Sequence, residues 1–224
     1  MQINYKIKYS DRKTVTITVE RDRSIIVKAP KDADPAKIDK IVESKKLWIY
    51  KKLNDTHKYN LVEPTKEFVA GETVLYLGKK YRLEIETSEN EHIKFAGKFI
   101  IAAVSAERAS SVFIQWYKKQ AVEKILPRVK KHALNIGVQY NKVFISDIKY
   151  RWGSCTPKDN LNFNWKLIKA PMFVIDYVIV HELAHFLESN HTPKFWNIVE
   201  VQVPKYLKAK EWLKEHGGLL ETDF

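Results

Sequence analysis

The sequence predicts an α+β fold, and three observations point there. Residues 2–29 and 71–104 alternate apolar and polar positions and are rich in β-branched residues, the period of strands. Residues 34–54 and 106–136 switch to apolar spacings of three and four, the period of helices. From Pro171 onward the chain is helical again, and there it carries "HELAHFLESNH", His181 to His191. With 224 residues, 45% of them hydrophobic, the chain can bury one large core or two small ones. The expected division is a β-rich region over 1–104 with one helix, followed by a second domain over 105–224.

Taken in order, "INYKIKYS", "TVTITVE" and "SIIVKAP", punctuated by "DRK" and "RDR", read as three short antiparallel strands. Asp34 can cap a helix and Pro35 suits its first turn. Ile38, Ile41, Val42, Trp48 and Ile49 then share one side, which predicts a single amphipathic helix running to about Asp55. "ETVLYLGKKYRLEIET" is a hairpin turning near Gly78-Lys79, and "HIKFAGKFIIAAV" another turning at Gly97. A long helix follows from Ala106 to about Ile136, with Pro127 kinking or dividing it. Lys118, Lys119, Lys124, Arg128, Lys130 and Lys131 make it the most basic element. "KVFISDIKYRWGS" and "NLNFNWKLI" are two further strands joined by the turn "CTPKDN". Helices over about 171–189, 193–202 and 205–216 complete the chain, the last ended by Gly217-Gly218.

Composition narrows the function classes. Cys155 is the only cysteine, so neither an intramolecular disulfide nor a cysteine-based zinc knot can form. "MQINYKIKYS" lacks an apolar stretch of signal-peptide length. The longest apolar run, "MFVIDYVIV", is interrupted by Asp176 and too short for a bilayer. No membrane association and a reducing cytoplasm are the expectations. Lys plus Arg exceed Asp plus Glu by 39 to 27, a formal charge of +12. That balance allows nucleic acid as a partner of the basic surface, and equally a merely solvated one.

The histidines point to metal chemistry. On a helix starting at Pro171, His181 and His185 project from one side, one turn apart, so both imidazoles can reach a single zinc ion. Glu182 lies about 100° round, where it can lean over a water held by the metal and act as base. His191 would stand about 240° off the ligand side if the helix continued. It can be the third ligand only if the helix ends first. "ESNHTP" supplies the break: Asn190 tolerates a left-handed terminator, and Thr192 with Pro193 can start the next helix. Three histidines leave one coordination position open, the pattern of a catalytic Zn2+ site.

The stretch "RWGSC…LNFNWKLIKAPMFVIDYVIVHELAHFLESNHTPKFW" resembles the YgjP-like metallopeptidase family, and "GETVLYLGKKYRLEI" is similar to that family's upstream region. The resemblance implies a zincin-like catalytic domain, with the active-site helix packed on a twisted sheet. It implies zinc ligands at His181, His185 and His191 and a general base at Glu182. The wider group includes WLM-type and SprT-like peptidases, some of which act on DNA-bound proteins. Metzincins carry Gly where this chain has Glu188 and need a methionine turn that it lacks. A SprT-like cysteine module is excluded by the single cysteine.

Three further residues are candidates for substrate contact. In a zincin, the strand nearest the active-site helix can pair with an extended peptide, which would bring Arg151 or Asn164 to the substrate; packing and surface pairing are the rival roles. Tyr177, one turn before His181, could stabilise an oxyanion or simply pack. Asp176 and Glu188 could orient a ligand imidazole. The sequence thus predicts a zinc-dependent peptidase acting on protein or peptide. Two alternatives stay open: a nucleic-acid-binding or DNA-associated protein with a structural metal, and a metal-dependent amidohydrolase on a small substrate.

Overall fold

A computed structural model describes residues 3–19, 24–54, 66–88, 93–148 and 151–221. The fold is α+β, with three mixed sheets. The chain divides into two compact units, Met1–Val62 and Glu63–Phe224.

The first unit holds β1 (Lys6–Ser10), β2 (Thr16–Val19), β3 (Ile25–Pro30), α1 (Pro35–Ser44) and α2 (Lys46–Leu53). Its sheet order is β1-β3-β2. β2 runs antiparallel to β3, but β1 runs parallel to it, which corrects the all-antiparallel expectation. The link 11–15 leaves a strand's width between β1 and β2, and β3 fills it. The expected turn at "RDR" lies outside the described residues. The helical stretch is two helices rather than one, because the backbone leaves helical geometry at Lys45 (φ −102°, ψ 9°). Asp34 caps α1 by accepting from the Ala36 N–H at 3.0 Å. Ile38, Val42 and Ile49 then pack with Val19, Val27 and Ala29 into a small core. Ile41 and Trp48 are left over a third exposed.

The second unit begins with β4 (Thr73–Tyr76), β5 (Lys79–Glu86), β6 (Ile93–Phe95) and β7 (Phe99–Ala102), in sheet order β4-β5-β7-β6. The β4–β5 turn is centred on Leu77 (φ 49°) and Gly78 (φ 80°), one residue earlier than expected. Two positive φ angles in succession match the twist of a tight hairpin. This turn docks on the chain entering the histidine helix: the Leu77 and Gly78 N–H groups donate to the carbonyls of Ile168 (3.1 Å) and Lys169 (2.7 Å).

A short 3-10 helix (Ala103–Arg108) leads into α3 (Ala109–Ile136), which is one helix with Pro127 inside it. Phe113, Tyr117, Ala121, Ile125, Val129 and Ala133 recur every four residues and are all buried. That stripe carries the helix past the proline, and Gly137 (φ 78°) ends it. The boundary expected near residue 104 falls inside this unit, where the first sheet packs on α3. Phe99 lies 5.3 Å from Phe113 and 5.0 Å from Trp116, ring centre to ring centre.

The remaining sheet has three strands where two were expected: β8 (Val143–Ser146), β9 (Gly153–Cys155) and β10 (Leu161–Asn164), in order β8-β10-β9. β10 is parallel to β8 and antiparallel to β9, so β9 is an edge. A second 3-10 helix (Trp165–Lys169) leads to α4 (Met172–Ala184), α5 (Pro193–Gln202) and α6 (Tyr206–Glu221). α6 passes through Gly217-Gly218 instead of stopping there. Gly217 is buried against Trp152, and the helix runs on far enough to bury Leu220. Lys169, itself buried, then donates to the Leu220 carbonyl at 3.4 Å.

Candidate metal centre

Apolar residues surround most of α4. Val174, Ile175, Val178, Ile179, Val180 and Leu183 are all buried, so a polar group on this helix needs a specific partner. Asp176 finds one on α3. A single Arg128 nitrogen reaches both its oxygens, at 2.7 and 2.8 Å, and His132 Nε2 lies 3.2 Å away. Asp176 therefore orients no ligand histidine.

The helix stops at Ala184, well before residue 189. The Phe186 and Leu187 N–H groups close a tightening turn onto the carbonyls of Leu183 and Ala184. Asn190 is not left-handed: among the described residues only Phe68, Leu77 and Asp159 combine a side chain with positive φ. The break comes earlier, at His185, and the chain then turns back without a left-handed residue. Thr192 accepts from the Phe195 N–H at 3.4 Å and starts α5 behind Pro193, as the sequence predicts.

This route brings the three histidines together. One ring nitrogen from each of His181, His185 and His191 lies within 4.8 Å of the others, and the Nε2 atoms of His181 and His191 are 3.0 Å apart. Four ligands at zinc–nitrogen bond length would stand about 3.3 Å apart, so this spacing suits a tetrahedral ion. His185 Nδ1 faces the Glu188 carbonyl at 3.3 Å, which leaves its Nε2 for a metal. Glu188 thus contributes through its backbone, not its carboxylate. The His181 Nδ1 is buried without a hydrogen-bond partner among the described residues. Burial, then the neighbouring His185 and His191, depress His181 to about 3. Burial lowers His185 as well. Neutral imidazoles with free lone pairs are what a divalent ion requires.

Glu182 is nearly buried on the adjacent face of α4. Burial raises its carboxyl to about 7, against the opposing hydrogen bond from the Cys155 N–H and the charge of Arg151. A carboxyl balanced near neutrality can both take up and return a proton. A cleft of about 900 Å³ opens over these groups. His181, Glu182 and His185 form its floor, and Arg151, Tyr177 and Leu213 are among its walls.

The substrate candidates separate. Arg151 is exposed at the cleft, and Tyr177 lines it with its ring 5.8 Å from that of His181. Asn164 does not line it. It is fully buried, donates to the Ile148 carbonyl at 2.8 Å, and accepts from the Lys166 N–H at 3.0 Å. Its role is to hold the chain leading to Arg151. His216 lies mid-helix, stacked on Trp212. The Cys155 thiol is pushed up by burial and by Glu182, which suits an inert sulfur.

Two residues at the site carry no motif signal. Phe195 packs its ring 5.0, 4.6 and 4.7 Å from those of His181, His185 and His191. Gly153 on β9 lies directly against Glu182. A hydrophobic residue three places into a helix that begins beside a ligand histidine is the only cue the sequence offers for Phe195.

Residues 13–216 match the family described as YgjP-like, metallopeptidase domain. The chain belongs to the YgjP-like metallopeptidase family. Membership makes it a metallopeptidase and implies a metal cofactor, which the three-imidazole donor set fits. No curated protein matches it. Two solved structures are similar over part of it. The metallopeptidase zymogen of Pyrococcus abyssi abylysin is 18% identical, with a TM-score of 0.39, over 45% of this chain and 99% of that one. The metallopeptidase zymogen of Methanocaldococcus jannaschii jannalysin is 23% identical, with a TM-score of 0.34, over 40% and 96%. At TM-scores below 0.5 neither likeness bears on mechanism. Among the described residues no helix is long and apolar enough to cross a membrane.

Proposed function

We propose that this family member is a zinc-dependent peptidase in which His181, His185 and His191 hold the ion and Glu182 is the general base. The observation that carries the reading is the convergence of three imidazole nitrogens within 4.8 Å beside a buried carboxyl. An all-imidazole set suits zinc among the first-row metals, and the ion when bound would acidify a water and polarise the scissile carbonyl. Glu182 takes the proton of the attacking water and returns it to the leaving nitrogen. β9 is an edge strand along the cleft, so an extended peptide can add to it as a further strand. Arg151 and Tyr177 are then the side chains in reach of that peptide.

The test is metal analysis joined to turnover. The purified protein is expected to carry one equivalent of zinc, His185→Ala to lose it, and the loaded protein to cleave an unstructured peptide. Glu182→Gln is expected to keep the metal and lose about 10²–10⁴ in rate. Wild-type rates in that variant would remove the base assignment, and full metal retention in His185→Ala would remove the site.

A further inference from the structure

The outer face of the first unit's sheet carries cations and no carboxylate among its described residues. Strand register puts Lys8, Lys28 and Thr16 in one cross-strand row and Lys6, Ile26 and Thr18 in the next. Lys6, Lys8 and Lys28 are exposed. Arg12 donates to the hydroxyls of Thr14 and Thr16, which lays its guanidinium over the first row. Like charges directly opposite on neighbouring strands are unfavourable, so this row exists against a local cost.

The unit has carboxylates but uses them elsewhere. Asp34 caps α1, Asp39 accepts from the Tyr5 hydroxyl, and Glu43 pairs with Lys46. Asp11 and Asp32 lie in links beyond the strand ends. Residues 1–62 hold fifteen of the chain's 39 Lys and Arg and eight of its 27 Asp and Glu, a net +7 of the total +12. The long helix α3 is a poorer rival: Lys119 and Lys130 share a side with Glu123, and in the stripe of Lys124, Arg128 and Lys131 the arginine is already paired with Asp176.

We infer that this sheet face docks the phosphodiester backbone of a nucleic acid. Lys6 and Lys8 are two residues apart on one strand, about 6.6 Å, and Lys8 and Lys28 sit on neighbouring strands about 4.8 Å apart. Four cations with the Thr16 and Thr18 hydroxyls make a phosphate-reading surface that contacts no base. A lipid surface fits less well. Of the unit's exposed apolar residues, Ile41, Leu47 and Trp48 lie on α1 and α2, which pack on the opposite face of the sheet, and Tyr9 pairs with buried Ala29 on that same face. The inference is independent of the chemistry at the histidines.

The test measures anisotropy of a labelled 25-base-pair DNA duplex, and of a single strand of the same sequence, with the full-length protein. Four phosphate contacts predict an affinity for the duplex that falls about 150-fold between 50 and 200 mM salt. Lys6→Glu/Lys8→Glu/Lys28→Glu is expected to abolish the binding. The Gln triple variant is expected to weaken it at least tenfold and flatten the salt dependence, with a melting temperature no lower than wild type. Lys119→Glu/Lys130→Glu on α3 is expected to bind as wild type. Equal binding by a folded Gln triple variant would overturn the proposal. So would no binding of either oligonucleotide at 50 mM salt, or binding confined to vesicles of 3:1 phosphatidylcholine and phosphatidylserine.

Discussion

A β-carbon at Gly153 would fall 2.7 Å from Cγ and 2.9 Å from Oε1 of Glu182. The glycine is there because the carboxyl occupies the space that a side chain would need. β9 therefore confines Glu182 through the missing methyl beside it. Gly153→Ala is expected to push Glu182 aside, lower turnover about 10²-fold, and leave metal content unchanged. Turnover and metal analysis on one preparation check this, and a wild-type rate would refute it.

The position of His191 depends on where α5 begins. Thr192 accepts from the Phe195 N–H, and losing such a cap costs about 1 kcal/mol. Thr192→Ala is expected to lower the melting temperature by about 2–4 °C and to weaken metal binding, because both His191 and Phe195 lose their anchor. Competition with a chromogenic chelator measures the second effect. Unaltered metal affinity would mean that Pro193 alone sets the start of the helix.

Asp176 supplies a pH dependence away from the metal. Burial pushes its carboxyl up, but the hydrogen bond from His132 and the charge and hydrogen bond of Arg128 outweigh that and hold it below the usual carboxylate range. A depressed folded value means that the stability it contributes is present above the unfolded value, near 4. That stability is lost as pH falls through the folded one. Asp176→Asn is expected to cost about 1–3 kcal/mol at pH 7. The difference from wild type should shrink below about pH 4. Urea unfolding at pH 7 and pH 3 would show it; a pH-independent difference would assign the effect to packing.

At Gly78, backbone and packing act together. The residue sits at φ 80°, and a β-carbon there would lie 2.4 Å from Pro171 Cγ. Gly78→Ala is expected to destabilise the protein by about 2–4 kcal/mol, the sum of a left-handed penalty and an overpacked contact. It should also shift the entry of α4. Thermal unfolding and metal affinity together check it: lost stability with intact metal binding would confine the damage to the hairpin.

The clustering of His181, His185 and His191 was legible because helical periodicity and a helix stop are local properties. His181 and His185 follow from one turn of helix, and "NHTP" signals where the next helix starts. Glu182 is legible from the same spacing. Gly153 and Phe195 were not, because their importance lies in contacts made across the fold. Asn164 read as a candidate for substrate contact because strand alternation does not say which face of a short strand is buried. In the first unit the strands were legible and their order was not: alternation gives no direction, so parallel β1 looked like a hairpin arm. Gly217-Gly218 looked like a terminator because the sequence cannot show Trp152 lying against the helix there.

All three donor nitrogens come from eleven consecutive residues, His181 to His191. A chelating loop that short closes at little entropic cost, so on the proposed assignment the ion can be captured as soon as this segment has formed. The backbone that confines Glu182, at Gly153, belongs instead to β9, a different part of the chain. On the proposed assignment, filling the site and aligning its base are separable events: a partly folded chain can already be loaded with metal and still be inert.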